Sequence, residues 1–334
     1  MKSFVTMCQK IGNMVDYVQG GGGNASIKHN ENTMAIKASG FTIKEITEVD
    51  GYTNVDYIKV RDYHTEAKPE ELETREKEAT PFTMTCVTPN PAGKTLRPSV
   101  EAGFHSLLKK YVMHTHPVYA NVVTCAVGGK ELAAEIFPDT DFVWIPYINP
   151  GFSLTLSIGN AVSDYEKNTG RFPKVIFLEN HGLVTTADTA EECTVLHIEI
   201  NEKIKNYLGL SDFSNDLDLI EDGDSFISNA AVIGEFVGRY GKDEVSNTIL
   251  YPDQLVYLNG GLDEGKISIG DKTMTFVTAK KDAAAMLETF AAYAYVVMNI
   301  RDTGRTVQTM NEAGRDFINN WESEKYRKQV SGQK

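Results

Sequence analysis

Two apolar runs in this chain end in histidine. One is Tyr111-Val112-Met113-His114-Thr115-His116-Pro117; the other is Lys174-Val175-Ile176-Phe177-Leu178, followed by Glu179-Asn180-His181. Both runs read as strands. In a strand, residues i and i+2 project from the same face, so His114 and His116 reach toward one point. A fold that brings these two strand ends together lets three imidazoles meet. Three imidazoles suit a divalent transition ion, zinc first, and leave a coordination position open for a substrate.

Length and composition set the frame. The 334 residues are enough for one large or two modest domains. Hydrophobic residues make up 41% and charged residues 24%, which is ordinary for a soluble globular protein. The formal net charge of −13 argues against nucleic acid or an anionic membrane as a partner. It leaves room for a small anionic substrate held by backbone amides and a few lysines. Cys8, Cys86, Cys125 and Cys193 form no C-x-x-C pair, which points to free thiols in a reducing compartment. No signal-peptide pattern opens the chain, so the expected location is the cytoplasm. The most apolar helix candidate, Ala283 to Ile300, carries Glu288 and is bracketed by Lys280, Lys281, Asp282 and Arg301. It is short for a membrane span and reads as a core helix.

Along the chain, residues 1–18 have helical spacing. A strand pair is expected at Ala25–Lys28 and Met34–Lys37, and another strand over 52–60. Residues 64–80 read as a solvated helix or loop. Pro98 to Lys110 reads as a helix with Pro near its start and Glu101 in its first turn. A helix from Val118, a strand at Trp144–Tyr147, a helix at Leu154–Lys167 and a long helix at Thr189–Tyr207 follow. Strands alternating with helices predict an α/β, or layered α+β, fold. A boundary is expected where Asp, Ser, Asn and Gly cluster near 209–226. That divides the chain into a domain at 1–212 and a smaller α+β extension at 213–334.

Gly20, Gly22 and Ala25 match the dinucleotide fingerprint G-x-G-x-x-G/A in letters only. A helix precedes them and a β-rich segment follows, the reverse of what that fingerprint requires. The loop still offers N–H groups suited to an anion.

Six short motifs stand in order over roughly the first 210 residues: Gly20 to Lys28, Ile36 to Gly40, Leu96 to His105, His114 to Pro117, Ile145 to Phe152 and Glu179 to Thr185. On these motifs the chain resembles the class II aldolase/adducin family. It is most similar to the aldolase half of rhamnose-utilisation bifunctional aldolase/dehydrogenase proteins. Trp321 to Arg327 looks like the end of that half, and the resemblance leads us to expect no dehydrogenase half after it. The resemblance implies a central β-sheet flanked by helices. It implies Zn2+, or another divalent transition metal, on His114, His116 and His181, with Glu101 as the acid/base. It places Asn24, Ser39, Gly40 and Ser99 at the phosphate of a sugar-phosphate substrate. It also implies a homo-oligomer, commonly a tetramer with sites at subunit interfaces, where a Tyr can come from a neighbouring subunit.

One residue departs from the pattern. Val100 stands where phosphate aldolases of the family carry a second Ser before the catalytic Glu, so one donor is lost. Lys28 or Lys37 can compensate, or the substrate carries a carboxylate instead.

The chemistry is coherent. A metal chelated by a carbonyl and its neighbouring hydroxyl polarises the one and stabilises an enediolate, while a carboxylate within reach moves a proton at carbon. The expected function is a zinc-dependent lyase cleaving a ketose or ketose phosphate by retro-aldol chemistry. Epimerisation, decarboxylation of a keto acid or dehydration use the same scaffold. A non-catalytic adducin-like module would have lost the metal ligands, which are present here. A separately encoded dehydrogenase partner is a further expectation.

Of the remaining residues, His105, four after Glu101, either orients that carboxylate or packs. Tyr147 and Phe152 read as core, as do Phe290, Tyr293 and Tyr295. His29, His64 and His197 read as solvent-facing or helix-surface residues.

Overall fold

The computed structural model describes residues 1–320; the Trp321–Arg327 motif lies outside them. Eight strands form the main sheet: β1 Asn24–Lys28, β2 Thr33–Lys37, β3 Tyr52–Asp56, β4 Val87–Thr88, β5 Tyr111–Thr115, β6 Phe142–Ile145, β7 Val175–Leu178 and β8 Gly182–Ala187. Their order is β4-β3-β2-β1-β5-β8-β7-β6. All neighbours are antiparallel except β6 and β7, which are parallel and need a crossover. The helix Phe152–Thr169 supplies it. Helices cover the sheet, as the α/β reading expects.

The strand bearing His114 lies inside this sheet. β5 pairs with β1 on one side, Asn24 opposite His114, and with β8 on the other, Val184 opposite His114. Side chains alternate across the pleat. Met113 and Leu183 point into the larger core with Phe177, Tyr119 and Cys193. Val112 and Val184 point into a second core with Phe104, Ile158 and Ile176. Both faces are therefore dry, which explains the unbroken apolar runs that end in the histidines.

The larger core continues past residue 212. Phe236, Phe290 and Tyr293 belong to the same cluster as Tyr119 and Phe177. The helix Lys280–Asp302 packs on the helix Val118–Thr124. It is long and apolar enough to cross a membrane, yet 83% of its apolar window is buried within the fold. A small antiparallel sheet of β9 Ile220–Asp222, β10 Ser225–Ser228, β11 Ile267–Ile269 and β12 Met274–Phe276 flanks it, in the order β11-β12-β10-β9.

Several expectations are corrected. The helix read over Pro98–Lys110 spans only Ala102–Leu107. Pro98 bridges Ala38, and the Ser99 amide donates to the Lys37 carbonyl at 3.2 Å, so this stretch is extended against the end of β2. Glu101 consequently sits at the helix N-cap instead of in the first turn. The strand read over 52–60 stops at Asp56, whose carboxylate accepts from the Lys59 amide and starts the helix Tyr57–Thr65. The N-terminal helix ends at Gly12. Two histidines read as surface residues are buried: His64, 3% exposed, stacks on Phe152, and His197 is fully enclosed. Helical periodicity marks a face but not what covers it, and in both cases the covering element is remote in sequence. His29 is exposed, as read.

Phe290→Ala should cost about 3–5 kcal/mol, as for buried aromatic truncation. Because its cluster spans the chain, hydrogen exchange should show weaker protection in β5 and β8 as well as in the mutated helix. Loss confined to the C-terminal helices would indicate two independently folding units.

Candidate metal centre

β5 ends at Thr115, and Pro117, which lacks an N–H, leads into the helix Val118–Thr124. His116 thus lies just past the strand, beside His114. β7 and β8 form a tight hairpin in which Leu178 pairs with Gly182. Asn180, at its tip, adopts φ 51°, a left-handed conformation that Asn tolerates. This turns His181 back over the end of β5. One potential ligand atom from each of His114, His116 and His181 lies within 4.8 Å of the others. His114 Nε2 and His116 Nε2 are 3.2 Å apart.

Glu101 closes the group. Its Oε2 is 3.5 Å from His114 Nε2 and its Oε1 is 3.5 Å from His181 Nε2. All four side chains are buried, with exposures between 0% and 7%. Among the described residues Glu101 Oε1 has no hydrogen-bond partner. A buried, unsatisfied carboxylate oxygen beside converging ring nitrogens is costly by itself and is satisfied by a cation. The residues therefore fit a divalent metal ion.

The surrounding hydrogen bonds hold these side chains in place. Asn24 Nδ2 donates to Glu101 Oε2 at 2.6 Å and to Ser99 Oγ at 3.1 Å. Asn24 Oδ1 is held by His105 Nε2, and Ser26 Oγ lies 2.7 Å from His105 Nδ1. Burial holds His105 well below its ordinary pKa, so it is a neutral link that acts on Glu101 through Asn24. His114 Nδ1 donates to the Leu183 carbonyl at 3.1 Å, which leaves Nε2 for the centre. Burial also pushes His114 down to about 4, with the Glu101 charge opposing the shift.

On the opposite face, His197 bonds Thr115 Oγ1 at 2.7 Å and Thr185 Oγ1 at 2.9 Å. It pins β5 to β8 between His114 and His116, and burial pushes it down to about 3. Gly23, at φ 65°, crosses so close that a Cβ there would lie 2.6 Å from the His114 carbonyl oxygen.

A cavity of about 610 Å³ opens from the centre and is lined by Asn24, Ser39, Ser99, Val100, Glu101 and His116, among others. Lys37, 5% exposed, also lines it and donates to the Gly21 and Phe41 carbonyls at 3.2 and 2.8 Å. Lys28 does not line it: its ammonium is spent on the Leu108 and Lys109 carbonyls, and burial pushes it down to about 7. Gly40 faces an adjoining cavity of about 740 Å³, with Tyr257 and Glu288. Sequence reasoning missed His197 and Asp253, whose Oδ2 lies 2.5 Å from His116 Nδ1. Tyr251-Pro252-Asp253-Gln254 stood out only as a segment before an apolar run.

A family model described as the Class II Aldolase and Adducin N-terminal domain matches residues 2–208. The uncharacterized oxidoreductase YuxG of Bacillus subtilis (strain 168) is 30% identical over 197 residues, covering 56% of this chain and 26% of that protein. The chain thus spans about a quarter of that relative's length. The N-terminal class II aldolase domain of a conserved protein from Thermoplasma acidophilum aligns at a TM-score of 0.51 and 27% identity, covering 62% of this chain and 92% of that one. A sugar-phosphate aldolase from Thermotoga maritima aligns at a TM-score of 0.41 and 14% identity, over 61% of this chain and 94% of that one. That likeness is too distant to inform the chemistry of this chain.

The buried neutral histidines predict acid sensitivity. His197 titrates near 3 when folded and near 6.5 when unfolded, so the unfolded chain binds the extra proton between those values. Stability present above pH 6.5 is lost as pH falls toward 3, at up to about 1.4 kcal/mol per pH unit for this group. Urea midpoints of the metal-free protein should fall over this range, and His197→Gln should make the slope shallower. An unchanged slope would contradict a neutral, enclosed His197.

Proposed function

The chain belongs to the class II aldolase and adducin family, and from that membership we propose that it is a zinc-dependent lyase cleaving a ketose or ketose phosphate by retro-aldol chemistry. The observation that carries this reading is the buried Glu101 Oε1, without a hydrogen bond among the described residues, facing three converging imidazoles. His114, His116 and His181 are the proposed ligands, and imidazole donors with a nearby carboxylate favour zinc among divalent ions. When bound, such an ion supplies Lewis-acid polarisation of a carbonyl and stabilises the negative charge that develops.

The chain's own groups carry the proton work and the substrate. In the cleavage, the pair of electrons from the broken C–C bond passes to the fragment that keeps the carbonyl. The other fragment becomes an aldehyde as its hydroxyl proton passes to the Glu101 carboxylate. Glu101 is the proposed group that returns a proton to the new carbon centre. The hydrogen bond from Asn24 keeps Oε2 oriented, while Oε1 lies 3.5 Å from His181 Nε2. Burial of all four side chains excludes bulk water from a carbanion that water would otherwise quench without control.

We assign the substrate's anionic end, phosphate or carboxylate, to Ser39 and Ser99, with Asn24 in the cavity wall beside them and Gly40 in the adjoining one. Lys37 supports that assignment, since it lines the cavity beside Val100 and carries its charge there while donating to the Gly21 and Phe41 carbonyls. A homo-oligomer is part of the same proposal, by family analogy.

Purified protein should hold about one equivalent of divalent metal per chain and cleave a member of a panel of ketoses, ketose phosphates and keto acids. His116→Ala should lose both metal and activity; retained activity would sink the lyase reading. Glu101→Gln should keep metal and lower kcat by about 10²–10⁴-fold. Loss of metal instead would make Glu101 a ligand without a proton-transfer role. Lys37→Met should raise KM for anionic substrates more than for neutral ones.

A further inference from the structure

Asp253 stands 137 positions from His116 in sequence and well beyond residue 208, where the family match ends. Its Oδ2 lies 2.5 Å from His116 Nδ1, and both side chains are buried, at 4% and 7% exposure. A carboxylate accepts, so Nδ1 carries the proton and Nε2 presents its lone pair toward His114 and His181. His114 obtains the same tautomer from the Leu183 carbonyl, a group of the sheet itself. For His116 the partner comes from the C-terminal segment and carries a full charge, which makes the imidazole more electron-rich.

The segment bearing Asp253 is built to stay put. Gln254, fully buried, donates from Nε2 to the Val245 and Thr248 carbonyls, both at 3.0 Å, and accepts at Oε1 from the Leu250 amide at 2.7 Å. Three bonds to the helix end and turn over residues 245–250 fix the residue next to Asp253. The same turn is tied to the His181 hairpin. Asn180 Nδ2 donates to the Leu250 and Gln308 carbonyls, both at 2.8 Å. Room for the Asp253–His116 pair is left by Gly22. A Cβ there would lie 2.4 Å from Asp253 Oδ2 and 3.1 Å from His116 Nδ1.

We infer that Asp253 is a positioning residue for the metal centre, and that the segment after residue 208 completes that centre by orienting His116 and latching the turn that carries His181. The inference rests on the metal reading given above. It assigns the C-terminal segment a task in the chemistry as well as in the core. Carboxylate–imidazole–metal arrangements of this kind typically contribute about 10- to 100-fold to metal affinity.

The test uses the full chain, with Zn2+ titrated against a chromophoric chelator and Co2+ read by its visible absorption. Asp253→Asn should weaken Zn2+ binding by about 10- to 100-fold and alter the Co2+ bands, and Asp253→Glu should recover part of both. Gly22→Ala, which keeps both partners but wedges a methyl between them, should shift affinity and spectrum in the same direction. If Asp253→Asn fails to fold by circular dichroism, Asp253→Glu and Gly22→Ala carry the comparison. Wild-type affinity and an unchanged Co2+ spectrum in the variants would overturn the inference while leaving the lyase reading intact. Failure of the wild-type protein itself to bind either ion would overturn both.

Discussion

Four ionisable side chains are buried at one point of this protein, and the rest of the architecture follows from holding them there. His114, His116, His181 and Glu101 are almost solvent-free, and one carboxylate oxygen lacks a hydrogen bond. Taking such groups out of water is unfavourable by several kcal/mol unless a compensating charge sits among them. A cation at the convergence turns an electrostatic liability into a site. The alternative, solvation of each group, would require opening the two cores that enclose β5.

That requirement explains the placement of β5 inside the sheet. An edge strand would expose its end to water and leave its histidines free to swing. Flanked by β1 and β8, His114 is opposed by Asn24 on one side and Val184 on the other. The register sets Asn24 where its amide reaches Glu101, and Asn24 is fixed in turn by neutral His105. On the other face His197 ties Thr115 to Thr185, so the strand cannot rotate about its axis. The C-terminal segment adds a constraint no strand of the sheet provides, since Asp253 reaches His116 from outside it.

Much of this was legible before any coordinates. The apolar runs at Tyr111–Thr115 and Val175–Leu178 are read correctly because strands dry on both faces leave an unbroken apolar signature. The long helix after Thr189 has a side-chain cap, Thr189 to the Glu192 amide, and its expected limits differ by one residue at each end. The three histidines, Glu101, Asn24 and Ser99 lie together in one small region. Other features were hidden by competition between local rules. Pro98 and Glu101 look like a helix start, yet the Ser99 amide is used by Lys37, and tertiary pairing postpones the helix to Ala102. His64 and His197 have the helical spacing of surface residues, and only the packed partner decides otherwise.

The sequence by itself determined which chemistry is available: three imidazoles at strand ends, a carboxylate beside them, a glycine-rich loop and no added donor at Val100. The imidazoles at strand ends follow from residue type and short-range periodicity, which are local properties; the carboxylate and the meaning of Val100 follow from the resemblance of the ordered motifs to the family. The tertiary structure alone decided that Lys37 and not Lys28 lines the cavity, and that His105 acts through Asn24. It also decided that an aspartate 137 residues away completes the environment of His116. Those outcomes depend on which distant segments share a dry interior. Burial converts ordinary polar side chains into fixed, obligatory hydrogen-bond partners, and no pattern within one segment records it.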